Sequence, residues 1–241
     1  MQGVQQQGGP GQHAAPEPMR RRIGNFIGRV VQRFRIVLLV ILAAAAVLLV
    51  GYIVYNEINK KLISDSAAKG EAAQASFDSW EAEADATKKA ALEKDLRVQL
   101  DSIIRRYPRQ YGAQRALFIR ADLGYATKAW DAARKDYESL AARFPSSYLA
   151  PVSLFNAAAC AEETGDLAGA SRLYTQVSAA YKDSTVAPRA LFDAGRVAEQ
   201  RNSWTEAQTA YEQIDTLYSQ STWGKLAKNR IIELKVEGKI K

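Results

Sequence analysis

From residue 113 to residue 228 the chain repeats itself every 37 residues. The phrase Leu117-Phe118 recurs as Leu154-Phe155 and again as Leu191-Phe192. Residues that share a place in successive units form a column, and four further columns keep this register: Ala133, Ala170 and Ala207; Tyr137, Tyr174 and Tyr211; Phe144, Tyr181 and Tyr218; Trp130, Leu167 and Trp204. Six columns over three copies exceed the chance similarity of alanine-rich helices, so the sequence predicts stacked repeats.

Each unit has the pattern of two helices, called helix A and helix B. In the first clear unit we expect helix A at about 114–125 and helix B at about 130–144. Turn-forming residues lie between the helices, most clearly at Thr164-Gly165-Asp166 and Arg201-Asn202-Ser203. Pro145 marks the end of helix B, since proline cannot continue a helix.

A weaker unit precedes the three clear ones. A step of 37 residues back places Trp80 at Leu117, Ala84 at Ala121 and Leu100 at Tyr137. Residues 226–236 supply one closing helix. We therefore predict an all-α fold, with a right-handed α-solenoid of about four helix pairs over residues 76–241.

A second feature is the stretch from Ile36 to Tyr55, which holds twenty residues without a charge. As a helix it is long enough to cross a hydrocarbon core about 30 Å thick. A buried soluble helix normally keeps a polar face, and a cleaved signal peptide has a shorter apolar run and a small-residue cleavage site. Neither fits, so we predict an uncleaved transmembrane helix at 36–55, followed by a linker or helical extension at 56–75.

The charge of the chain, +7, is concentrated near its N-terminus: residues 1–65 hold eight basic and three acidic residues. Residues 1–22 are predicted to be a disordered basic tail. Residues 23–35 fit an amphipathic juxtamembrane helix on anionic lipid, although a simple extension of the span fits equally well. The basic excess lies beside a hydrophobic span, so we expect contact with membrane lipids and not with nucleic acid.

Orientation follows from the flanking charges. Six arginines precede the span (Arg20, Arg21, Arg22, Arg29, Arg33 and Arg35), and only Lys60 and Lys61 follow it closely. The positive-inside rule then places the N-terminus in the cytoplasm and the repeats outside it. In a bacterium this topology corresponds to an inner membrane, crossed once, with the repeat domain in the periplasm.

Catalytic and metal-binding residue sets are missing from the sequence. The single histidine is His13 in the tail, and the single cysteine, Cys160, shares a column with Leu123 and Val197, which indicates a core position. We predict no enzyme activity, no cofactor, no metal and no small-molecule substrate. The carboxylates Glu162-Glu163 and Glu81, Glu83 and Asp85 are interpreted as solvated helix faces.

The units resemble the tetratricopeptide repeat. Leu117, Ala121, Ala133, Tyr137 and Pro145 stand at that repeat's Trp, Gly, Ala, Phe and Pro places. The units depart from its usual 34 residues, and its helix-A Tyr place holds Gly124, Ala161 or Ala198, which suggests closer packing or a wider groove.

The whole plan of tail, span and repeats is similar to the YfgM-like ancillary subunits of the SecYEG translocon. The phrase Arg143-Phe144-Pro145-Ser146-Ser147 also resembles BamD and CpoB, although those proteins would not carry an uncleaved anchor. The long basic tail departs from the YfgM-like plan. The resemblance implies a scaffold at the protein export or envelope-assembly machinery, with translocon subunits, chaperones or translocated chains as partners.

The register implied by the resemblance places the phenylalanine column beside the concave groove. The candidate partner-binding residues are Phe118, Phe155, Phe192, Arg115, Asp122, Arg189 and Arg196. Partly exposed aromatic rings flanked by charge suit the binding of an extended or helical peptide. In the alternative interpretation these rings only pack helix A on its neighbours. The alternative function is a self-assembling structural envelope protein without a client groove.

Overall fold

The computed structural model describes residues 19–241, so most of the predicted tail at 1–22 lies outside the described residues. Within this range every regular secondary-structure element is an α-helix. The helices are α1 (Met19–Ala82), α2 (Ala86–Arg106), α3 (Tyr111–Ala126), α4 (Trp130–Arg143), α5 (Leu149–Glu163), α6 (Leu167–Ala180), α7 (Ala187–Gln200), α8 (Trp204–Tyr218) and α9 (Thr222–Val236). The chain divides into two compact units, the first ending at Asn59 and the second covering Lys60–Lys241.

The first unit contains the apolar part of α1. From Val30 on, α1 is the one helix in residues 19–241 that is long and apolar enough to cross a membrane. Its most apolar window has a mean hydropathy of 3.0, and none of it is buried. Leu48, for example, is 74% exposed. A helix that exposes large apolar side chains on every face suits lipid better than water.

The second unit is a stack of helix pairs. The end of α1 pairs with α2, and α3–α4, α5–α6 and α7–α8 follow, with α9 closing the stack. These four pairs and the closing helix confirm the predicted tetratricopeptide-like repeat fold.

A left-handed residue ends helix A in each of the three clear units. Lys128, Gly165 and Asn202 have φ values of 61°, 77° and 58°, and they form one column. After each of them the next backbone N–H returns to a helix-A carbonyl, as Asp166 N does to Ala161 O at 2.9 Å. This bond reverses the chain and sets helix B antiparallel to helix A. Glycine at 165 suits the turn because it carries no Cβ penalty.

The repeated columns form the core, as predicted. Tyr137, Tyr174 and Tyr211 are at most 2% exposed. Small residues let the helices approach: a Cβ on Gly124 would lie 3.2 Å from the Cβ of Ala133. The small helix-A residues therefore produce close packing, one of the two predicted consequences.

The leading unit differs in part from the prediction. Trp80 and Leu100 are buried, at 5% and 0% exposure. Ala84, however, is exposed in the turn after α1, so its predicted alignment with Ala121 is wrong. The buried stripe of α1 begins well before residue 76, at Ser66, because the Ser66 hydroxyl accepts the Gly112 backbone N–H at 2.8 Å and holds α1 against α3.

Candidate binding groove

The phenylalanine column packs on the tyrosine column of helix B. Ring centroids lie 5.8 Å apart for Phe118 and Tyr137, 5.1 Å for Phe155 and Tyr174, and 5.3 Å for Phe192 and Tyr211. Phe118 and Phe192 are half-buried, whereas Phe155 is only 8% exposed. The structure therefore favours the packing interpretation for Phe155, whose ring also forms part of a cavity wall described below.

Each buried tyrosine hydroxyl donates to a carboxylate on its own helix A. Tyr174 donates to Glu162 at 2.7 Å, and Tyr211 donates to Glu199 at 2.6 Å. The two carboxylates share a column. Burial is the main reason why the pKa of both tyrosines lies well above the ordinary value, and the neighbouring carboxylate adds to it.

An arginine from the next repeat pairs with each of these two carboxylates. Arg196 Nη2 lies 2.8 Å from Glu162, and Arg230 Nε lies 3.0 Å from Glu199. The Glu162 side chain is only 19% exposed. The interpretation of Glu162 as part of a solvated face is therefore wrong, since this carboxylate links a tyrosine and an arginine between two repeats.

The first repeat breaks this pattern. Tyr137 donates to Asp122, which lies one helical turn before the place of Glu162 and Glu199, and Tyr125 occupies that place. Within residues 19–241, Asp122 has no ion pair within 4.0 Å. Burial raises its pKa to about 6, the Tyr137 hydroxyl opposes this rise, and the charge of Glu81 adds to it.

A cavity of about 460 Å³ opens beside Asp122. We call it the Asp122 cavity, and its lining residues are Glu81, Asp122, Tyr125, Ala126, Tyr137, Phe155, Asn156, Ala159 and Arg189. The Arg189 guanidinium lies 4.7 Å from the Phe155 ring centroid and 3.5 Å from Asp193. The cavity thus combines aromatic walls, one half-buried carboxyl group and one arginine held at the edge.

The predicted groove residues do not all meet at this cavity. Asp122, Phe155 and Arg189 come together there. Arg196 lies one repeat further on, paired with Glu162. Arg115 instead lies against α1, where its Nη2 atom is 3.9 Å from the carboxylate of Glu71.

Six cavity residues were not predicted from the sequence as groove residues: Glu81, Tyr125, Ala126, Tyr137, Asn156 and Ala159. Tyr125 carried a signal, because it replaces a glutamate in its column, as a comparison of Tyr125, Glu162 and Glu199 would have shown. Glu81 stands 37 residues before Phe118, where the leading unit departs from the phenylalanine column, so the column distinguishes it as well. Asn156 shares its column with Ile119 and Asp193, so the repeat pattern gives it no distinction.

Cys160 lies in the core, as predicted. It is fully buried, and burial raises the pKa of its thiol to about 12. A thiol in this environment stays protonated and unreactive at neutral pH. In the described part of the chain, no group of three or more His, Cys, Asp or Glu side chains is placed to hold a metal ion.

Comparison with known proteins supports the repeat assignment. Residues 115–147 match the tetratricopeptide repeat family model, and this range covers most of α3 and all of α4. No curated protein matches the chain. The matched range is one repeat unit. The other units share its columns, so the domain is similar to tetratricopeptide-repeat proteins, whose solenoids act as protein-binding scaffolds.

Proposed function

We propose that this chain is a membrane-anchored scaffold that binds proteins through its repeat groove. The observation that carries the proposal is the Asp122 cavity, an aromatic and charged recess on a repeat domain of the protein-binding type. Stacked repeats offer extended surfaces for a segment of another protein. The exposed apolar helix that precedes them supplies a means of attachment to a membrane.

The finer assignment concerns location and partners. Six arginines before the span favour a cytoplasmic N-terminus and an extracytoplasmic repeat domain at the bacterial inner membrane, with the basic segment on anionic lipid. The resemblance to YfgM-like proteins favours the Sec translocon or envelope-assembly machinery. Its subunits, chaperones or translocated chains are the proposed partners.

Topology is tested with reporters fused after Lys241. A reporter active only outside the cytoplasm should be active, and a reporter active only inside should be silent. Neutral residues in place of the six arginines should give mixed orientation, because the charge bias sets it. An active cytoplasmic reporter on the unmodified chain would refute both the location and the translocon assignment.

Use of the groove is tested by co-purification from detergent-solubilised membranes. Ala126 is exposed at the end of α3 and lines the Asp122 cavity, so Ala126→Trp fills the cavity without disturbing the core. Ala142→Trp, at an exposed position of α4 away from the cavity, is the matched control. Translocon subunits should be recovered with the unmodified chain and with the control, and lost with Ala126→Trp.

The other outcomes separate the parts of the proposal. Equal recovery with both tryptophan variants would show that the partner binds elsewhere on the domain. Recovery of other envelope proteins would remove the translocon assignment and keep the groove. Recovery of this chain alone would favour a self-assembling structural protein without a client groove.

A further inference from the structure

The three junctions that follow the three clear repeats differ in one charge. At the second and third junctions, Arg196 and Arg230 reach back to the carboxylate that a buried tyrosine also holds. At the first junction the place of Arg196 is taken by Ala159, which lines the Asp122 cavity. At the first junction a tyrosine thus holds a carboxylate, that of Asp122 one turn earlier on helix A, but no arginine of residues 19–241 forms an ion pair with it.

We propose that the Asp122 cavity binds a lysine or arginine side chain of the partner protein, with Asp122 as its ion-pair acceptor. This inference rests on the proposed groove function and names the chemistry that the groove selects. The ligand's charge would take the role that Arg196 has beside Glu162. A buried carboxylate is strongly stabilised by a charge-assisted hydrogen bond from a cation.

The walls of the cavity suit a long basic side chain. Tyr125, which is 37% exposed, presents its ring to the cavity, and a cation near an aromatic face is attracted by the ring quadrupole. The cavity, at about 460 Å³, is larger than any one side chain, so the apolar stem of the residue fits with its charged end. Lysine and arginine have this form: an alkyl stem that packs on apolar surface and a cationic end.

The charge of the lining favours a cation over an anion. Arg189 is the one basic residue in the lining, and its guanidinium already contacts the Phe155 ring and Asp193. The two carboxyl groups, of Glu81 and Asp122, come from different helices. Both carboxylates would repel an anionic group. They would attract a basic group, Asp122 from a half-buried position and Glu81 from the rim of the cavity.

The test uses the full chain in detergent micelles and an array of immobilised octapeptides. Each peptide is made in three versions that differ at one central position: lysine, norleucine, which has the stem without the charge, and glutamate. The unmodified chain should bind lysine versions about tenfold more tightly than norleucine versions, the scale of one charge-assisted contact. Glutamate versions should bind most weakly.

Two variants should remove this preference. Asp122→Asn keeps the shape and the acceptor for Tyr137 but loses the charge, so lysine and norleucine versions should bind equally. Ala159→Arg supplies the arginine internally, and it should occupy the cavity and abolish the preference. Ala142→Arg adds the same charge at an exposed position on α4, and should leave the preference intact. Circular dichroism verifies folding, and Asp122→Asn carries the test if Ala159→Arg does not fold.

Failure of this inference differs from failure of the proposed function. Peptides bound without a preference for lysine, or with a preference that Asp122→Asn leaves unchanged, would overturn the basic-side-chain subsite and leave the groove as a binding surface. An array on which no peptide is retained would count against both.

Discussion

Replacing Asp122 with asparagine should stabilise the repeat domain at neutral pH, and the gain should shrink as the pH falls. Burial raises the pKa of this carboxyl group from its ordinary 3.8 to about 6. The folded chain therefore binds the proton more tightly than the unfolded chain does. Ionised Asp122 therefore lowers the free energy of unfolding, and this loss of stability is largest at pH values above 6. Asparagine has nearly the same shape as the protonated acid and carries no charge at any pH.

The size of the gain follows from the shift in pKa. A difference of about two units, at about 1.4 kcal/mol per unit, amounts to about 3 kcal/mol at pH 7.5. At pH 4.5 the folded carboxyl is mostly protonated and the gain falls to about 1 kcal/mol. The groups that face Asp122 are Tyr137, Glu81 and Arg189, and none of them is altered by the substitution.

Urea unfolding of the full chain in detergent micelles, followed by tryptophan fluorescence, measures this difference at the two pH values. Other titrating groups are common to both chains, so they largely cancel when the variant is compared with the unmodified protein. Asp95→Asn, at an exposed position of α2, controls for the loss of one negative charge. A loss of stability at pH 7.5, or a gain of equal size at both pH values, would refute the claim that Asp122 is a buried carboxylate without an ion-pair partner.

Other predictions concern the repeat core and its turns. Tyr174→Ala should cost about 3–5 kcal/mol, as aromatic truncations in cores do; an unchanged melting temperature would mean that the repeat register is wrong. Gly195→Ala should cost about 1–3 kcal/mol, the usual range for overpacking, because its Cβ would lie 2.5 Å from the Tyr211 ring, and thermal melting would show whether the ring can instead move aside. Lys128→Gly should stabilise by up to about 1 kcal/mol, because Lys128 holds a left-handed conformation, whereas Gly165→Ala should do the reverse. Urea midpoints compare the last two variants, and equal signs would contradict the turn assignment.

Much of the fold could be predicted from the sequence because the period is strict. A column fixes which residues meet within one unit, and the tyrosine column proved to be core throughout. The turns at Gly165 and Asn202 could also be predicted, because glycine and asparagine are typical of turns. The left-handed conformation of Lys128 could not be predicted from the residue type, and only its place in the same column indicates it. The error at Ala84 arose where the period no longer holds, in the leading unit.

The site was less predictable because it depends on contacts between units. A column does not say which residue of the next unit reaches a given carboxylate, as this depends on the rotation from one repeat to the next. Arg230, in the closing helix, has Asp193 in its column, so no repeated pattern predicts its contact with Glu199. Asp122 was among the predicted groove residues, but its lack of an arginine partner emerged only from comparison of the three junctions in space.

At the junction between the first and second clear repeats a carboxylate lacks the arginine partner that the next two junctions provide, which raises the question of why a repeat protein would keep this arrangement. An arginine at position 159 would supply the charge that is supplied at the next two junctions, and the cavity has room for it. Sequences depart from a locally favourable choice mainly where function requires it. An occupant of the cavity would touch Glu81 on α1, Asp122 on α3 and Arg189 on α7, which belong to three different repeats. Its binding would then join elements that otherwise contact only their neighbours, and a ligand that binds only the folded chain stabilises it.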